Sequence, residues 1–155
     1  MNTLLKSVLA SAVIASLPAI AAAQVCPNLS ANGAPLDYTA DSAYAPQSTR
    51  VIAGGSLNLS ACSIVPGVGY IAENPDFSMQ YGDLGTGRQL EIRVVAECDT
   101  VLLVNAANNQ WYFNDDTNGS NPAIRLERPG SGQFDIWVGT FANAPCEATL
   151  TVETF

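Results

Sequence analysis

The densest run of oxygen ligands in this 155-residue chain is Asn114-Asp-Asp-Thr-Asn-Gly-Ser-Asn121. Asp115, Asp116, Asn118 and Asn121 could face one ion, with Asp99 and Asp135 approaching from neighbouring strands. Calcium takes roughly six to eight oxygens from flexible loops, so this loop could furnish about half a shell. No other cofactor is suggested. The spacing matches neither an EF-hand nor an Asp-rich nonapeptide repeat. The competing expectation is turn chemistry, in which Asn118-Gly119 takes left-handed geometry and Asp and Asn side chains cap backbone amides.

A second candidate is aromatic. If the face of Trp137 is open, Trp137 with Tyr112 and with Arg93 or Arg125 could form a flat platform for a sugar ring or a peptide. The alternative is that residues 24–81 cross this face and bury the indole. The tyrosines of that half need an apolar surface, which favours burial.

Much other chemistry is excluded by composition. There is no histidine, so a Ser-His-Asp triad, a Cys-His pair and a His-ligated metal are all absent. Asp115-Asp116 is the obvious carboxylate couple, but adjacent strand residues point to opposite faces. A hydrolase would need two convergent acids from separate strands. Asn28-Leu-Ser30, Asn58-Leu-Ser60 and Asn118-Gly-Ser120 are formal glycosylation sequons, relevant only where that machinery operates.

The elements that must position these residues begin after an export segment. Asn2–Lys6 is a short basic region, Val8–Ile20 an apolar run, and Ala21-Ala22-Ala23 a small-residue cleavage site. Residues 1–23 are therefore expected to be a signal peptide cut before Gln24. The run is short for a bilayer span of about 20 residues, so no membrane insertion is expected after cleavage. Cys26 lacks a lipobox. In the remaining 132 residues, fourteen acids face five arginines, a net charge of −9. That balance excludes phosphate-driven nucleic-acid binding and attraction to anionic lipid. A periplasmic or secreted, bacterial location follows.

Cys26, Cys62, Cys98 and Cys146 all survive cleavage. An even count behind a signal peptide implies two disulfides rather than a metal tetrad, since no Cys-x-x-Cys pair occurs. Three connectivities are open. The pairing Cys26–Cys62 with Cys98–Cys146 staples each half and is the expected one.

Residues 24–48 are loop-rich, with one short strand over Leu36–Ala40. Beyond them, period-two alternation dominates and no helical period is evident. Leu57/Leu59/Ala61, Phe77/Met79/Tyr81, Leu90/Ile92/Val94, Ile124/Leu126, Phe134/Ile136/Val138 and Leu150/Val152 each mark one strand face. Trp111 and Phe113 oppose Tyr112 and Asn114. Val101-Leu-Leu-Val104 is apolar on both faces, as a central strand covered on both sides would be. Eight or nine strands in one domain, 24–155, are best buried by packing two sheets. A faint likeness between residues 55–62 and 87–98 is ordinary for β-rich segments.

Asp99-Thr-Val-Leu-Leu-Val104, Trp111–Asp116, Asn121-Pro122 and Ser131-Gly-Gln-Phe-Asp-Ile-Trp-Val138 resemble the bacterial pre-peptidase C-terminal domain. The resemblance spans about 88–153, with Phe134 where tyrosine is common. Residues 24–87 are left as N-terminal strands and cover. Stand-alone alphaproteobacterial periplasmic proteins carry similar motifs. The resemblance implies an all-β, two-sheet antiparallel β-sandwich of jelly-roll type, here disulfide-stapled. It also implies a non-catalytic accessory module, catalysis belonging to a neighbouring domain of larger relatives. In some relatives calcium binds through an N-terminal linker, whose pattern is missing here. The functional expectation is a secreted or periplasmic binding module recognising protein or glycan. The alternative is a structural or self-assembling envelope-associated protein, and a hydrolase ranks last.

Overall fold

A computed structural model describes residues 26–155; the expected signal peptide, 1–23, lies outside the described residues. Alternation dictates the architecture. Eleven strands form: β1 (Ala34–Thr39), β2 (Gln47–Ala53), β3 (Leu57–Asn58), β4 (Tyr70–Ile71), β5 (Phe77–Gly82), β6 (Leu90–Ala96), β7 (Thr100–Asn105), β8 (Trp111–Asn114), β9 (Ala123–Leu126), β10 (Gly132–Thr140) and β11 (Cys146–Thr154). They build two sheets. In the seven-stranded sheet, β10 is central: β5 and then β4 pair along one side of it, and β7 followed by β8 along the other. The four-stranded sheet has the order β2-β11-β6-β9 and is antiparallel throughout.

The inter-sheet core is the set of side chains that alternation assigns inward. It includes Phe77, Met79, Leu102, Val104, Phe134, Ile136 and Val138 from the larger sheet, facing Leu90, Ile92, Val94, Leu150 and Val152. A second apolar cluster lies on the opposite, outer face of the larger sheet. There Val101, Leu103 and Trp137 are covered by Leu57, Leu59, Cys62, Val65 and Ile71. This second layer is why β7 is apolar on both faces, and why all of Phe134–Thr140 is buried. The approach is close: a Cβ on Gly139 would stand 2.5 Å from the Tyr70 carbonyl oxygen, so β4 can cross only above a glycine.

Two expectations are corrected. The larger sheet is not purely antiparallel, because β1 runs parallel to β5 from Ala34↔Phe77 to Thr39↔Gly82. Between β1 and β5 the chain runs through β2 in the smaller sheet and then through β3 and β4, and such a long connection permits a parallel pair. The strand expected over 56–61 also stops at Asn58. Asn58 Oδ1 accepts the Ser60 N–H at 3.0 Å, and a 3₁₀ turn follows over Leu59–Ala61. Leu57 and Leu59 remain buried, as their spacing implied, while Ala61 is exposed.

Both disulfides have the expected pairing. Cys26–Cys62 (Cα–Cα 5.4 Å) ties the start of the described chain to the cover over Trp137. Cys98–Cys146 (Cα–Cα 6.5 Å) joins the entry of β7 to the start of β11. Closing loops of 36 and 48 residues stabilises the fold by about 4 kcal/mol each in the chain-entropy account. No free thiol should react with Ellman's reagent in denaturant. Serine replacement of both Cys26 and Cys62 should lower stability by about 2–4 kcal/mol and shift tryptophan emission to the red. Replacing Cys98 and Cys146 should cost as much without that shift, which urea melts followed by fluorescence would check.

Candidate functional site

The four residues expected to form an aromatic–cationic platform are not brought together. Trp137 is fully buried, so it offers no platform to a ligand. Alternation along β10 places it on the outer face, in line with Leu103 and Phe113, directly under the 56–72 cover. Its ring centroid lies 5.5 Å from that of Trp111, and its Nε1 donates to the Glu73 carbonyl at 3.4 Å. Tyr112 points the other way and packs against the inter-sheet core, its hydroxyl donating to Gln110 Oε1 at 3.0 Å. Arg93 and Arg125 belong to the smaller sheet. Arg93 pairs with Glu153 (2.6 Å) and Glu91 (2.9 Å), and Arg125 with Glu91 (2.7 Å). Arg125 also stacks over the Phe155 ring at 4.1 Å.

The acidic loop is largely organised by its own backbone. Asn114 Oδ1 accepts from Thr117 Oγ1 (2.7 Å) and from the Ala123 N–H (3.0 Å). Asn121 Oδ1 accepts the Ala96 N–H at 2.9 Å, and Asn118 bridges Asn121 through the main chain. Asp99 comes near the loop: slight burial, then the charges of Asp116 and Asp115, hold its carboxyl above the ordinary range. Asp135 does not come near it and cannot join that ligand set. It sits on the outer face of the larger sheet, where its Oδ1 accepts from Ser78 Oγ (2.6 Å) and Gln133 Nε2 (2.9 Å). Among the described residues, no three acids converge as metal ligands. The sequons at Asn28 and Asn58 are likewise Asx turns, each side chain accepting the N–H two residues on.

Sequence reasoning missed Asp76, which reads only as part of the Asn74-Pro75-Asp76 break. It stands where β10 lacks a strand partner between β5 and β4. Its main-chain N–H donates to Ile136 O (2.9 Å), and its Oδ2 accepts the Val138 N–H (2.7 Å). Gly54 N–H completes the patch by donating to Val138 O at 3.0 Å. Burial pushes the Asp76 carboxyl up to about 6, against the smaller opposing effect of the Val138 bond. No local sequence signal marks such a residue, because its partner lies 62 positions away.

One surface with exposed apolar side chains remains open. The outer face of the smaller sheet carries a shallow concavity of about 610 Å³ lined by Arg50, Ile52, Val95, Glu97, Glu147 and Thr149. Ile52 is 60% exposed and Val95 56%, on a face otherwise dominated by charged and hydroxyl side chains. On the larger sheet, Ser78, Asp135, Asn105 and Trp111 are successive cross-strand neighbours on β5, β10, β7 and β8; the first three are buried and Trp111 is half-buried. Gln80 and Gln133 flank that row and are exposed.

No family model matches the chain, and no curated protein matches it. Two solved structures align with 79% of it. One is the pre-peptidase C-terminal domain of a collagenase from Bacillus anthracis, at 10% identity, 98% coverage of that chain and a TM-score of 0.45. It is of the kind the sequence motifs resemble. The other is PliG of Aeromonas hydrophila, a periplasmic inhibitor of g-type lysozyme, at 13% identity, 99% coverage and a TM-score of 0.40.

Two outcomes follow from the acids. The Asp76 carboxyl titrates near 3.8 when unfolded and about 6 when folded, so between these values the native state holds a proton the unfolded chain has lost. Stability should therefore rise as pH falls from 7 towards 4, with up to about 3 kcal/mol from this group. Asp76→Asn keeps an acceptor for Val138 and removes the charge, so its urea midpoint should exceed the parent's at pH 8 and lose this slope. Millimolar Ca²⁺ should leave the Tm unchanged; an EDTA-reversible rise would support calcium at the loop of Asp115, Asp116, Asn118 and Asn121 with Asp99.

Proposed function

We propose that the chain is an exported, non-catalytic binding module that docks a partner protein on the outer face of its smaller sheet. The observation that carries this reading is the pairing of Ile52 and Val95, both more than half exposed, around one concavity. Exposed large aliphatic side chains grouped within a charged surface are what the centre of a protein interface requires. Arg50 lines the same concavity and, among the described residues, forms no ion pair, which leaves it available to an acidic group of the partner.

The disposition of reactive groups supports the non-catalytic part. All four cysteines are crosslinked, Glu91 and Glu153 neutralise arginines, and Asp76 and Asp135 are engaged by hydrogen-bond donors. Two disulfides suit an oxidising compartment outside the cytoplasm. Among the described residues no helix is long and apolar enough to cross a membrane.

The test is co-purification from the native envelope and secreted fractions, followed by calorimetry with the purified partner. Replacing Ile52 and Val95 together by aspartate should weaken binding at least about tenfold and change stability little, since both side chains are exposed. A partner bound equally well by the double variant overturns this surface. A dimer seen by analytical ultracentrifugation and lost in the same variant would favour the self-assembling alternative.

A further inference from the structure

We propose that the open edge of β2 takes up an extended segment of a partner protein, which joins the smaller sheet as a fifth strand and sets an acidic side chain beside Arg50. This rests on the protein-docking reading of the same sheet for the partner being a protein. It adds which part of the partner is held and which main-chain groups hold it.

The ladders fix which main-chain groups face outward. Gln89 and Phe155 exchange both of their N–H···O bonds, at 3.3 and 3.1 Å, just beyond the pair Leu90↔Thr154. Hydrogen-bonded pairs recur at every second residue of an antiparallel ladder, so the main chain of Thr149 and Thr151 faces β6. That of Ala148, Leu150 and Val152 then faces β2, where the opposite residues are Val51, Thr49 and Gln47. The N–H and C=O groups of Ser48, Arg50 and Ile52 therefore point away from the sheet. The Ser48 and Thr151 hydroxyls meet at 2.9 Å, as the closer side chains of a non-hydrogen-bonded pair allow. Among the described residues the outward main-chain groups of Ser48, Arg50 and Ile52 have no partner. All three residues are exposed, and Arg50, Val51 and Ile52 line the concavity, so another chain can reach this edge.

The edge of β1, by contrast, is blocked. Ala34 and Ala40 donate their N–H groups to Asp76 and Gly82, which turns Pro35, Asp37 and Thr39 outward. Pro35 has no N–H, and Ser42 Oγ both accepts from the Thr39 N–H and donates to the Thr39 C=O. Only Asp37 is left, and a charge there deters a further strand. The seven residues of β2 carry no proline and a single charge, that of Arg50. That charge also selects the occupant. Antiparallel pairing of β2 with its own copy through all three outward residues sets Arg50 against Arg50. A shift of two residues either way gives up one pair and places serine or isoleucine opposite Arg50, never an acid. An extended segment of another protein can set a carboxylate there, one strand spacing of about 4.8 Å away. Beside it, apolar side chains would cover Ile52 on the outer face and the half-buried Val51 on the inner one. Main-chain bonds then give the affinity, and the acid beside two apolar residues gives the choice of segment.

Amide hydrogen exchange of the disulfide-intact protein, followed by NMR, tests the edge. It is measured first alone and then with peptides of about twelve residues, long enough to span the edge, selected on the protein from a random phage-displayed library. In the free protein the amides of Ser48, Arg50 and Ile52 should exchange at least about a hundredfold faster than those of Thr49 and Val51. A saturating peptide should slow those three by about tenfold or more. Methylating the peptide's main-chain nitrogens one at a time should abolish binding at every second position of the bound stretch and spare the positions between. Side-chain docking alone would not produce that period. Arg50→Gln should weaken binding about tenfold and leave exchange in the free protein as it is. The proposal is overturned if the three amides are already protected in the free protein, or if they stay fast in a saturated complex. It is equally overturned if no selected peptide binds more tightly than about 0.1 mM, or if methylation acts without the period. A peptide that leaves the three amides fast but is lost with the Ile52→Asp, Val95→Asp double variant sinks the fifth strand and keeps the docking face. Protection of the three amides with equal binding by that double variant keeps the strand and sinks the face.

Discussion

Everything in this molecule is arranged around β10, a strand that must be excluded from water on both faces and hydrogen-bonded along both edges. Its inner side chains, Phe134, Ile136 and Val138, complete the inter-sheet core. Its outer one, Trp137, is the largest fully buried side chain in the protein and needs a cover of its own. One four-stranded sheet cannot supply both. The chain therefore commits β3, β4 and the turn between them to a second layer and fastens that layer with the Cys26–Cys62 crosslink. Where strands run out along the β10 edge, the Asp76 side chain and the Gly54 amide take over the pairing. An unpaired main-chain group there would cost as much as a lost buried hydrogen bond. Burial of the carboxyl at this place raises the Asp76 pKa, against the smaller opposing effect of the bond itself.

Beyond its apolar part, the outer face of the larger sheet continues into the buried polar row Ser78, Asp135 and Asn105, where hydrogen bonds from Ser78 and Gln133 satisfy the Asp135 carboxylate. The smaller sheet needs no such cover, because its outer face is held by a charge ladder in which Glu91 pairs with both Arg93 and Arg125, and Arg93 pairs with Glu153 as well. Burial lowers the Arg93 pKa, yet its bonds to Glu153 and Glu91 outweigh that and hold it above its ordinary value. Ile52 and Val95 stand beside this ladder rather than in it. Stability and surface chemistry are thus allotted to different faces: the core and cover hold the sandwich, and the outer face of the smaller sheet is free to vary in chemistry.

Much of this is legible in the order of residues along the chain. Period-two alternation assigns the inward face of nearly every long strand. The double-sided apolar run Val101–Val104 announces a second layer, and an even count of cysteines with no Cys-x-x-Cys pair announces two crosslinks. These features are local, and strand geometry converts them directly into faces. The loop-rich residues 24–48 and the break at Asn74-Pro75-Asp76 show their irregularity in their composition, but not what they do. Whether Trp137 is open or covered lies beyond alternation, which orders the faces of a strand without saying what packs on them.

Residue order is sufficient for the elements and their apolar faces, because each depends on neighbours one or two residues apart. Which of those faces meet is settled only by packing in three dimensions. Packing sets β1 parallel to β5, sends Arg93 and Arg125 to a sheet remote from Trp137, and moves Asp135 from the acidic loop to the Ser78–Asn105 row. It also turns Asp76 into a surrogate strand partner. Each of these depends on contacts between residues far apart in the chain, and strand register, which converts such separations into neighbours, exists only once the two sheets have formed.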